Sequence, residues 1–317
     1  MRVLVVGATG VVGSPLVRAL SAEGHSVVAT SRNPKGMALP EVTVKALDLL
    51  DPAATSRLVA DTEPDVVIHQ ATALTGLGNN VRRFDAAFAT TNRLRVEGTT
   101  ALIEAGRRMS TPPRLVVQSF CGWPWAPEGG PVKSENDPLD PHPAPAFQRT
   151  FAALVEMERL VTGYENGTIV RYGALYGAGT SLGPGGDQIE AIRKRAFPLI
   201  GDSDAVWSFL HVEDAADAAI AAMHGPRGVY NIADDTPVRL GEWLVEVARM
   251  LGAPEPRRVP VWLARLVGGQ GLVHMMTTAR GSANAKAKAE LGWEPRHPDW
   301  REGFSAMLAS ASANRDR

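Results

Sequence analysis

A glycine-rich turn near the start of the chain constrains the fold more than any other feature of the sequence. It follows a short apolar run, residues 3–6, and precedes an amphipathic helical pattern, residues 11–23. Glycines here allow a tight turn and let the backbone approach a pyrophosphate, and the helix N-terminus offers N–H groups and the positive end of its dipole. The strand, turn and helix context therefore predicts a dinucleotide-binding site, with a ligand-free turn as the alternative. The expected cofactor contacts in the segment Gly7-Ala8-Thr9-Gly10-Val11-Val12-Gly13 are Gly7, Thr9, Gly10, Val11, Val12 and Gly13.

Short runs rich in valine and isoleucine recur through the first half of the chain, and helical patterns separate most of them. The predicted strands are residues 3–6, 26–30, 42–46, 66–69, 115–117 and 168–171, and the predicted helices are residues 11–23, 52–62, 81–107 and 150–162. Continuous apolar strands that alternate with amphipathic helices indicate a parallel sheet covered on both faces. The sequence therefore predicts an α/β fold with a doubly wound parallel Rossmann sheet.

The second half of the chain is less regular. Its predicted helices are residues 187–195, 214–223, 240–251, 260–267, 284–291 and a C-terminal one from residue 300, and its predicted strands are residues 206–212 and 229–232. We interpret residues 1–172 as a dinucleotide-binding domain to which residues 206–235 return. Residues 173–205 and 236–317 are then a smaller, interleaved substrate-binding region.

Charge and cysteine content exclude several classes of protein. The chain has 33 basic and 34 acidic side chains among 317 residues, so it lacks the large basic field that many nucleic-acid-binding proteins use. The single cysteine, Cys121, excludes an intramolecular disulfide and a cysteine-cluster zinc site, and it favours a reducing compartment. No signal-peptide pattern and no membrane-length apolar stretch is found. We expect a cytoplasmic homodimer that acts on a small molecule, with no metal, nucleic-acid or membrane partner.

The end of the second predicted strand bears on the choice of cofactor. A carboxylate there usually binds the ribose 2′-hydroxyl of NAD, whereas a nearby arginine accommodates the 2′-phosphate of NADP. The segment reads Thr30-Ser31-Arg32 and contains no carboxylate. Ser31 and Arg32 therefore favour NADP(H), although NAD(H) is possible and Arg32 is alternatively a solvated surface residue.

Several further motifs occur in an order that resembles the extended short-chain dehydrogenase/reductases, which are NAD-dependent epimerase/dehydratase-like enzymes. The resemblance covers nearly the whole chain and includes a segment similar to the family's Phe-x-His-Val-x-Asp motif, residues 209–214. It implies that an aspartate contacts the adenine, that a helical asparagine holds the active-site backbone, and that a strand and loop line the nicotinamide. The cofactor-binding residues that it implies are Asp48, Leu49, Gln70, Ala71, Thr72, Asn92, Ser119, Tyr172, Gly173 and Leu175.

The catalytic unit of that family is missing from this chain. Members carry a Tyr-x-x-x-Lys unit, in which the phenol exchanges a proton with the substrate and the lysine lowers the pKa of the phenol. None of the four tyrosines here has a lysine four residues later. The resemblance aligns Thr150 with the tyrosine and Leu154 with the lysine, and Phe120 with the family's catalytic hydroxyl residue, one position after Ser119. An aliphatic hydroxyl does not ionise usefully at neutral pH, so the usual route of proton transfer is lost.

Other side chains near the expected nicotinamide position are candidates to replace this unit. We expect Thr150, Ser119 and Arg149 to be the catalytic residues, while His142 on the preceding loop and a reactive Cys121 are weaker candidates. The expected substrate contacts are Phe120, Cys121, Trp123, Tyr176 and Trp207. Trp207 stands where sugar-nucleotide epimerases carry a phosphate-binding arginine, which favours a less charged substrate unless the tryptophan only fills the core.

These observations favour one function and leave two others open. The first is an NADP(H)-dependent oxidoreductase that acts on a small, largely apolar carbonyl or related compound with a non-standard proton donor. The second is an epimerase or dehydratase that retains its cofactor. The third is a non-catalytic NADP(H)-binding sensor or scaffold.

Overall fold

The computed structural model describes residues 1–34, 41–74 and 84–313, and the statements below concern those residues. The first half of the chain alternates strands and helices from its start. In chain order the elements are β1 (Arg2–Val6), α1 (Gly13–Ala22), β2 (Ser26–Ser31), β3 (Val42–Ala46), α2 (Pro52–Thr62), β4 (Val66–His69), α3 (Phe84–Ala87), α4 (Ala89–Arg93), a π-helical stretch (Leu94–Gly98), α5 (Thr99–Arg107), β5 (Arg114–Phe120), β6 (Val132–Lys133), a 3-10 turn (Pro145–Phe147), α6 (Gln148–Thr162) and β7 (Gly167–Tyr172).

The second half contains longer helices and short strands. Its elements are β8 (Ala174–Tyr176), α7 (Asp187–Arg193), β9 (Leu199–Ile200), β10 (Val206–Trp207), β11 (Phe209–His211), α8 (Val212–His224), β12 (Val229–Ile232), β13 (Val238–Arg239), α9 (Leu240–Met250), β14 (Arg258–Val259), α10 (Val261–Thr277), β15 (Gly281–Ser282), α11 (Ala285–Leu291) and α12 (Trp300–Ala313). No helix in the described ranges combines the length and the apolar character that a membrane crossing needs.

Seven parallel strands form the central sheet, which confirms the predicted doubly wound α/β fold. Their order is β12-β7-β5-β4-β1-β2-β3. The chain leaves β1 towards β2 on one side and later returns to β4 on the other side, so the connections diverge between β1 and β4. In such sheets the crevice at the carboxyl ends of these strands is where a ligand binds.

Two helical layers cover the sheet and bury its two faces. The helices α1 and α8 pack together on one face, where Leu16, Leu20 and Ala219 belong to one hydrophobic core. The helices α2, α5 and α6 cover the other face around a second core. A third core lies among the later elements and is rich in aromatic residues, with Trp243 and Phe209 fully buried in it. The strand β12 pairs with β7 in the central sheet, while the division into domains stays a prediction.

Three predicted elements differ from the structure. The predicted helix 81–107 begins outside the described residues, and from Phe84 onward it is broken into α3, α4, the π-helical stretch and α5. The predicted strand 206–212 is two short strands, and α8 begins at Val212. The predicted helix 260–267 continues to Thr277, but it breaks at Gly269, whose φ of 82° only glycine adopts readily.

Candidate active site and cofactor cleft

The parallel sheet brings the predicted site residues to one edge. The glycine turn follows β1, Ser31 ends β2, and the segment of Gln70 follows β4, while Phe120 and Tyr172 end β5 and β7. The register pairs the ends of neighbouring strands side by side, with Val6 beside His69 and Phe120 beside Tyr172. Residues far apart in the sequence therefore lie along one edge of the sheet.

The three glycines of the turn differ in how much space a side chain would have at each position. A side chain at Gly7 would lie 2.6 Å from the backbone of Ala71, and one at Gly13 would lie 2.2 Å from the carbonyl oxygen of Gly7. These two glycines are needed for the chain to fold. At Gly10 the nearest atom to an added Cβ is 3.3 Å away, and the residue is exposed, as Thr9 and Val11 are. The backbone at Gly10 is therefore exposed just before the start of α1, whereas the neighbouring Val12 is buried.

The end of β2 places the hydroxyl of Ser31 and the exposed guanidinium of Arg32 close to this turn. The hydroxyls of Thr9 and Ser31 lie 3.1 Å apart, which holds the turn against the strand. Arg32 is exposed, and its side chain forms no ion pair or hydrogen bond with any described residue. Asp48 at the end of β3 is also exposed and accepts a hydrogen bond from the backbone N–H of Leu50, while Leu49 is buried against Gly98. These residues lie at or just after the carboxyl ends of β2 and β3, where the sequence predicts contacts with the adenosine part of a dinucleotide.

Buried polar groups fix the segment after β4. The side-chain amide of Gln70 donates to the hydroxyl of Tyr172 over 3.0 Å, and this hydroxyl donates to the carbonyl of Ala215. Burial lowers the pKa of His69 to about 4, so its ring is neutral, accepts from the N–H of Ala71 and donates to the carbonyl of Leu94. Both networks hold Ala71 and the half-buried Thr72 at the cleft.

The loop after β7 is also packed closely against neighbouring backbone. A Cβ at Gly173 would lie 2.7 Å from the carbonyl oxygen of Ser208, because β8 and β11 pair directly beyond it. Leu175 packs against the first core. This loop therefore forms a fixed wall at the carboxyl end of the sheet.

Thr150 lies at the start of α6 in a chain of hydrogen bonds that the sequence did not predict. Its hydroxyl accepts from the side-chain amide of Asn92 over 3.1 Å and donates to the carboxylate of Asp85 over 2.7 Å. The same carboxylate accepts from the backbone N–H groups of Thr150 and Arg149. Asp85 therefore places a negative charge beside the position that resemblance assigns to a catalytic tyrosine. No sequence signal pointed to Asp85, because its segment precedes its partners by 64 and 65 residues.

Ser119 has a different environment from Thr150. Its hydroxyl donates over 2.6 Å to the carboxylate of Glu158, and Arg171 forms two hydrogen bonds with that carboxylate. The ion pair is buried, with side chains 8% and 9% exposed, and the ring of Trp125 lies 5.0 Å from the Arg171 guanidinium. This arrangement connects α6 to β5 and β7. The hydroxyl of Ser119 is thus engaged inside the protein, while the role predicted for it stays a prediction.

A small apolar cavity lies beyond the end of β5, beside the indole of Trp123. Its cavity volume is about 40 Å³, and it includes three of the predicted substrate contacts on β5 and the following loop. Phe84, Phe147 and Phe151 surround Trp123 on its other side, with ring centroids 5.1 to 6.3 Å from the indole. The lining residues are Phe120, Cys121, Gly122, Trp123, Ala174, Trp207, Ser208 and Met275. A larger groove lies along β3 and α2, and none of the predicted site residues lines it.

The remaining predicted contacts differ in how they meet the cavity. The indole N–H of Trp207 donates to the carbonyl of Met275 over 3.0 Å, so this residue both lines the cavity and fixes α10. Tyr176 is fully buried, stacks on Phe304 with centroids 4.5 Å apart, and is absent from the lining. Burial raises the pKa of the Cys121 thiol to about 12, which makes a reactive thiolate unfavourable. Arg149 is exposed at the start of α6.

One group of side chains among the described residues has spacing suited to a metal ion. His211, Asp214 and His297 each offer a ligand atom, and these atoms lie within 4.8 Å of one another. The two oxygens of Asp214 already accept from the backbone N–H groups of Arg296 and His297. This carboxylate therefore fastens the segment before α12 to the start of α8.

This edge of the sheet combines an exposed glycine turn, buried hydrogen-bonded polar groups after β4, the buried ion pair of Arg171 and Glu158, and a small aromatic-lined cavity beyond β5. No tyrosine lies at the start of α6, and burial raises the pKa of Tyr172 and of Tyr176 above the ordinary value. Neither phenol is therefore suited to proton transfer at neutral pH. Among the described residues, the polar groups at the start of α6 are the hydroxyl of Thr150 and the carboxylate of Asp85 that accepts from it.

Comparisons with known proteins agree with this description. Residues 3–233 match the model of the NAD dependent epimerase/dehydratase family. A 3-diazoavenalumate denitrifying reductase from a Streptomyces species is 44% identical over 308 residues, which cover 96% of this chain and 99% of the relative.

Solved structures share the fold at lower identity. The human epimerase family protein SDR39U1 (isoform 2) with NADPH has a TM-score of 0.74 at 20% identity, and 97% of this chain and 99% of that chain are covered. The Thermus thermophilus UDP-glucose 4-epimerase in complex with NAD has a TM-score of 0.73 at 24% identity, with 98% and 99% covered. Relatives of this fold thus include both an NADPH and an NAD complex.

Proposed function

The chain belongs to the NAD dependent epimerase/dehydratase family, and from this premise we propose that it is an NADPH-dependent reductase that removes a diazo group from an aromatic compound. The missing proton donor carries the proposal, because Thr150 and Leu154 stand where family members have tyrosine and lysine. The similarity to a denitrifying reductase over nearly the full length of both chains supports it.

Residues at the carboxyl edge of the sheet would each contact a different part of the dinucleotide. The exposed backbone at Gly10 would contact the pyrophosphate, and the exposed Arg32 together with Ser31 would contact a 2′-phosphate. Gly173 and Leu175 would lie along the nicotinamide. NADPH supplies a hydride when it is bound there.

The proposed reaction balances without an acid from the protein. An aromatic diazonium ion, Ar–N₂⁺, gains a hydride at its terminal nitrogen and becomes the neutral diazene Ar–N=NH. Loss of N₂, with transfer of the nitrogen-bound hydrogen to the ring carbon, gives Ar–H. In total, Ar–N₂⁺ and NADPH give Ar–H, N₂ and NADP⁺, and the substrate gains two electrons.

The charge change of this reaction explains why the family's proton donor is dispensable. A carbonyl that gains a hydride becomes an alkoxide, which an acid must protonate. A diazonium ion that gains a hydride is already neutral. Thr150 and Asn92 would then position the reactants and would not need to transfer a proton. The hydroxyl of Ser119, which donates to Glu158, would not need to supply a proton either.

The cavity supports an aromatic substrate. Phe120, Trp123 and Trp207 line it with flat apolar faces, and aromatic rings pack favourably against such faces in offset or edge-to-face arrangements. Trp207 also stands where sugar-nucleotide epimerases carry a phosphate-binding arginine, so the contact that would favour a sugar nucleotide is missing at this position. The chemistry of this lining therefore favours an aromatic group over a phosphorylated sugar.

The direct test is turnover of a simple arenediazonium salt by the protein with NADPH. We expect release of one N₂ for each NADPH oxidised, at a rate well above that of the protein-free mixture, when labelled N₂ is followed by mass spectrometry. An aromatic aldehyde is the comparison substrate. Reduction of the aldehyde without release of N₂ from the diazonium salt would overturn the proposal in favour of a carbonyl reductase.

The preference for NADPH is tested by Arg32→Ala. Loss of a charge-assisted hydrogen bond to the 2′-phosphate, worth about 1.5 kcal/mol, should weaken NADPH binding roughly tenfold and leave NADH binding nearly unchanged. Fluorescence titration of both cofactors measures the two affinities. Arg227→Ala, at another exposed arginine, is the matched control. Equal losses for NADPH and NADH would make Arg32 a surface residue.

The cellular setting belongs to the same proposal. We infer a cytoplasmic homodimer in which residues 1–172 and 206–235 form the Rossmann domain, residues 173–205 and 236–317 form the substrate-binding region, and residues of both parts contact the cofactor and the substrate. The single cysteine, with its raised pKa, is consistent with a reducing compartment.

A further inference from the structure

A groove that none of the predicted site residues lines has the composition of a small-molecule site. It lies between β3 and α2, and its cavity volume is about 460 Å³. Ligand pockets typically have volumes of about 300–1,000 Å³ and combine apolar walls with a few polar groups. We propose that this β3–α2 groove binds a small amphipathic carboxylate, a molecule with an apolar chain and one anionic end.

The groove forms where α2 leaves the last strand of the sheet partly uncovered. The strand β3 is at the edge of the sheet, and α2 packs mainly against α5 and β1. Every residue of β3 is exposed or half-buried. The space between this strand and α2 is therefore open to solvent, and a ligand can enter it without a movement of the fold.

The floor of the groove is apolar. Val28, Ala54 and Leu58 line it and pack against the core that α2, α5 and α6 cover. Leu47 belongs to that core and also lines the groove. Because Val28 and Leu58 are only half-buried, a hydrocarbon chain placed on them would remove apolar surface from water.

Two cations stand on opposite walls of the groove. Lys45 lies on β3 and Arg57 lies on α2, and both residues are exposed. Within residues 1–34, 41–74 and 84–313, neither side chain has an ion-pair or hydrogen-bond partner. A carboxylate placed between them could therefore accept hydrogen bonds from both walls.

The charges of the lining favour a ligand with one negative charge. Arg2, the third basic residue of the lining, pairs with Glu63 over 3.3 Å. Asp61 is acidic and also lines the groove. Lys45 and Arg57 against Asp61 leave an excess of one positive charge.

The size of this excess separates a carboxylate from a phosphate. A carboxylate carries one negative charge, whereas a phosphate monoester carries about 1.5 to 2 at pH 7. Residues 35–40 lie outside the described ranges, and their sequence contains one lysine and no acidic residue. They therefore supply no negative charge that could cancel the excess.

A solvated groove without a ligand is the competing explanation. Lys45→Gln and Arg57→Gln each remove one charge from an exposed side chain, so the fold should be kept, and a thermal melt checks this. Lys194→Gln removes the charge of an exposed lysine at the end of α7, outside the groove, and is the matched control.

The test uses octanoate and its neutral counterpart octan-1-ol as probes. Methyl NMR of the protein labelled at leucine and valine gives both the affinity and the place of binding. We expect shifts at Val28, Leu47 and Leu58, and an affinity for octanoate at least tenfold higher than for octan-1-ol. Each of the two groove variants should weaken octanoate binding about fivefold, and the double variant about twentyfold, with octan-1-ol binding changed less than twofold.

The outcomes decide the proposal without any cofactor or turnover, so they are independent of the proposed reaction. The groove does not bind carboxylates if octanoate fails to bind at millimolar concentration, or binds no more tightly than octan-1-ol. Shifts at Leu175 and Leu182 in place of the groove residues would put the probe elsewhere and overturn the site. Equal losses in Lys194→Gln and Lys45→Gln would also overturn it, because the attraction would then be unspecific.

Discussion

Glu158→Gln is expected to lower the free energy of unfolding by about 3–5 kcal/mol. The substitution keeps the size of the side chain but removes the charge that balances Arg171, which is buried with only 8% of its side chain exposed. A buried cation without its partner is costly because water no longer solvates it. Chemical unfolding followed by tryptophan fluorescence measures the change.

Glu156→Gln is the control for this prediction. Glu156 lies two residues earlier on α6 and pairs with Arg159 at the surface, where its side chain is 40% exposed. Exposed pairs of this kind contribute about 1 kcal/mol or less. A Glu158→Gln variant as stable as Glu156→Gln would show that the buried pair is not needed for stability.

The buried pair also bears on the site. Glu158 holds α6 against β5 and β7 through Ser119 and Arg171, and the start of this helix carries Thr150 and contacts Asp85. Loosening the helix should therefore also reduce turnover of the substrate. An apolar pair of similar volume at both positions should restore much of the stability, because buried ion pairs are often replaceable as a unit.

The sequence predicted the elements whose signals are local. The strands β1 and β4 and the helix α2 appear with the predicted bounds or within one residue of them, because a continuous apolar run or an aspartate cap before proline is visible in a few residues. The position of the glycine turn at the cleft follows from the same local pattern.

Features that depend on distant contacts were not predictable in the same way. The break in the helix around Leu94 coincides with a hydrogen bond from His69 on β4, 25 residues earlier. Asp85 meets Thr150 only after the sheet has brought their segments together. The engagement of Ser119 with Glu158 depends on the register of β5 and β7, which places Ser119 beside Arg171.

Gly10 is where a small substitution should have the largest effect on cofactor binding. Gly7 and Gly13 have no room for a side chain, so their substitution would disturb the fold itself. At Gly10 an added methyl group would meet only the carbonyl oxygen of Gly7, at 3.3 Å, which requires a shift of a few tenths of an ångström. The fold therefore tolerates alanine there, whereas a pyrophosphate lying on the backbone does not.

We expect Gly10→Ala to weaken NADPH binding about a hundredfold, equivalent to about 2.7 kcal/mol, with a melting temperature close to that of the native protein. Gly130→Ala in the exposed loop before β6, where the nearest atom to an added Cβ is the carbonyl oxygen of Val132 at 3.8 Å, is the control and should change neither quantity. Isothermal titration with NADPH and a thermal melt measure the two effects. If Gly10→Ala binds NADPH as tightly as Gly130→Ala, the turn does not carry the pyrophosphate. NADPH, the proposed hydride donor, would then have to bind elsewhere. Thr150, Asp85 and the aromatic cavity could contribute to the proposed reaction only if the nicotinamide lies at this end of the sheet.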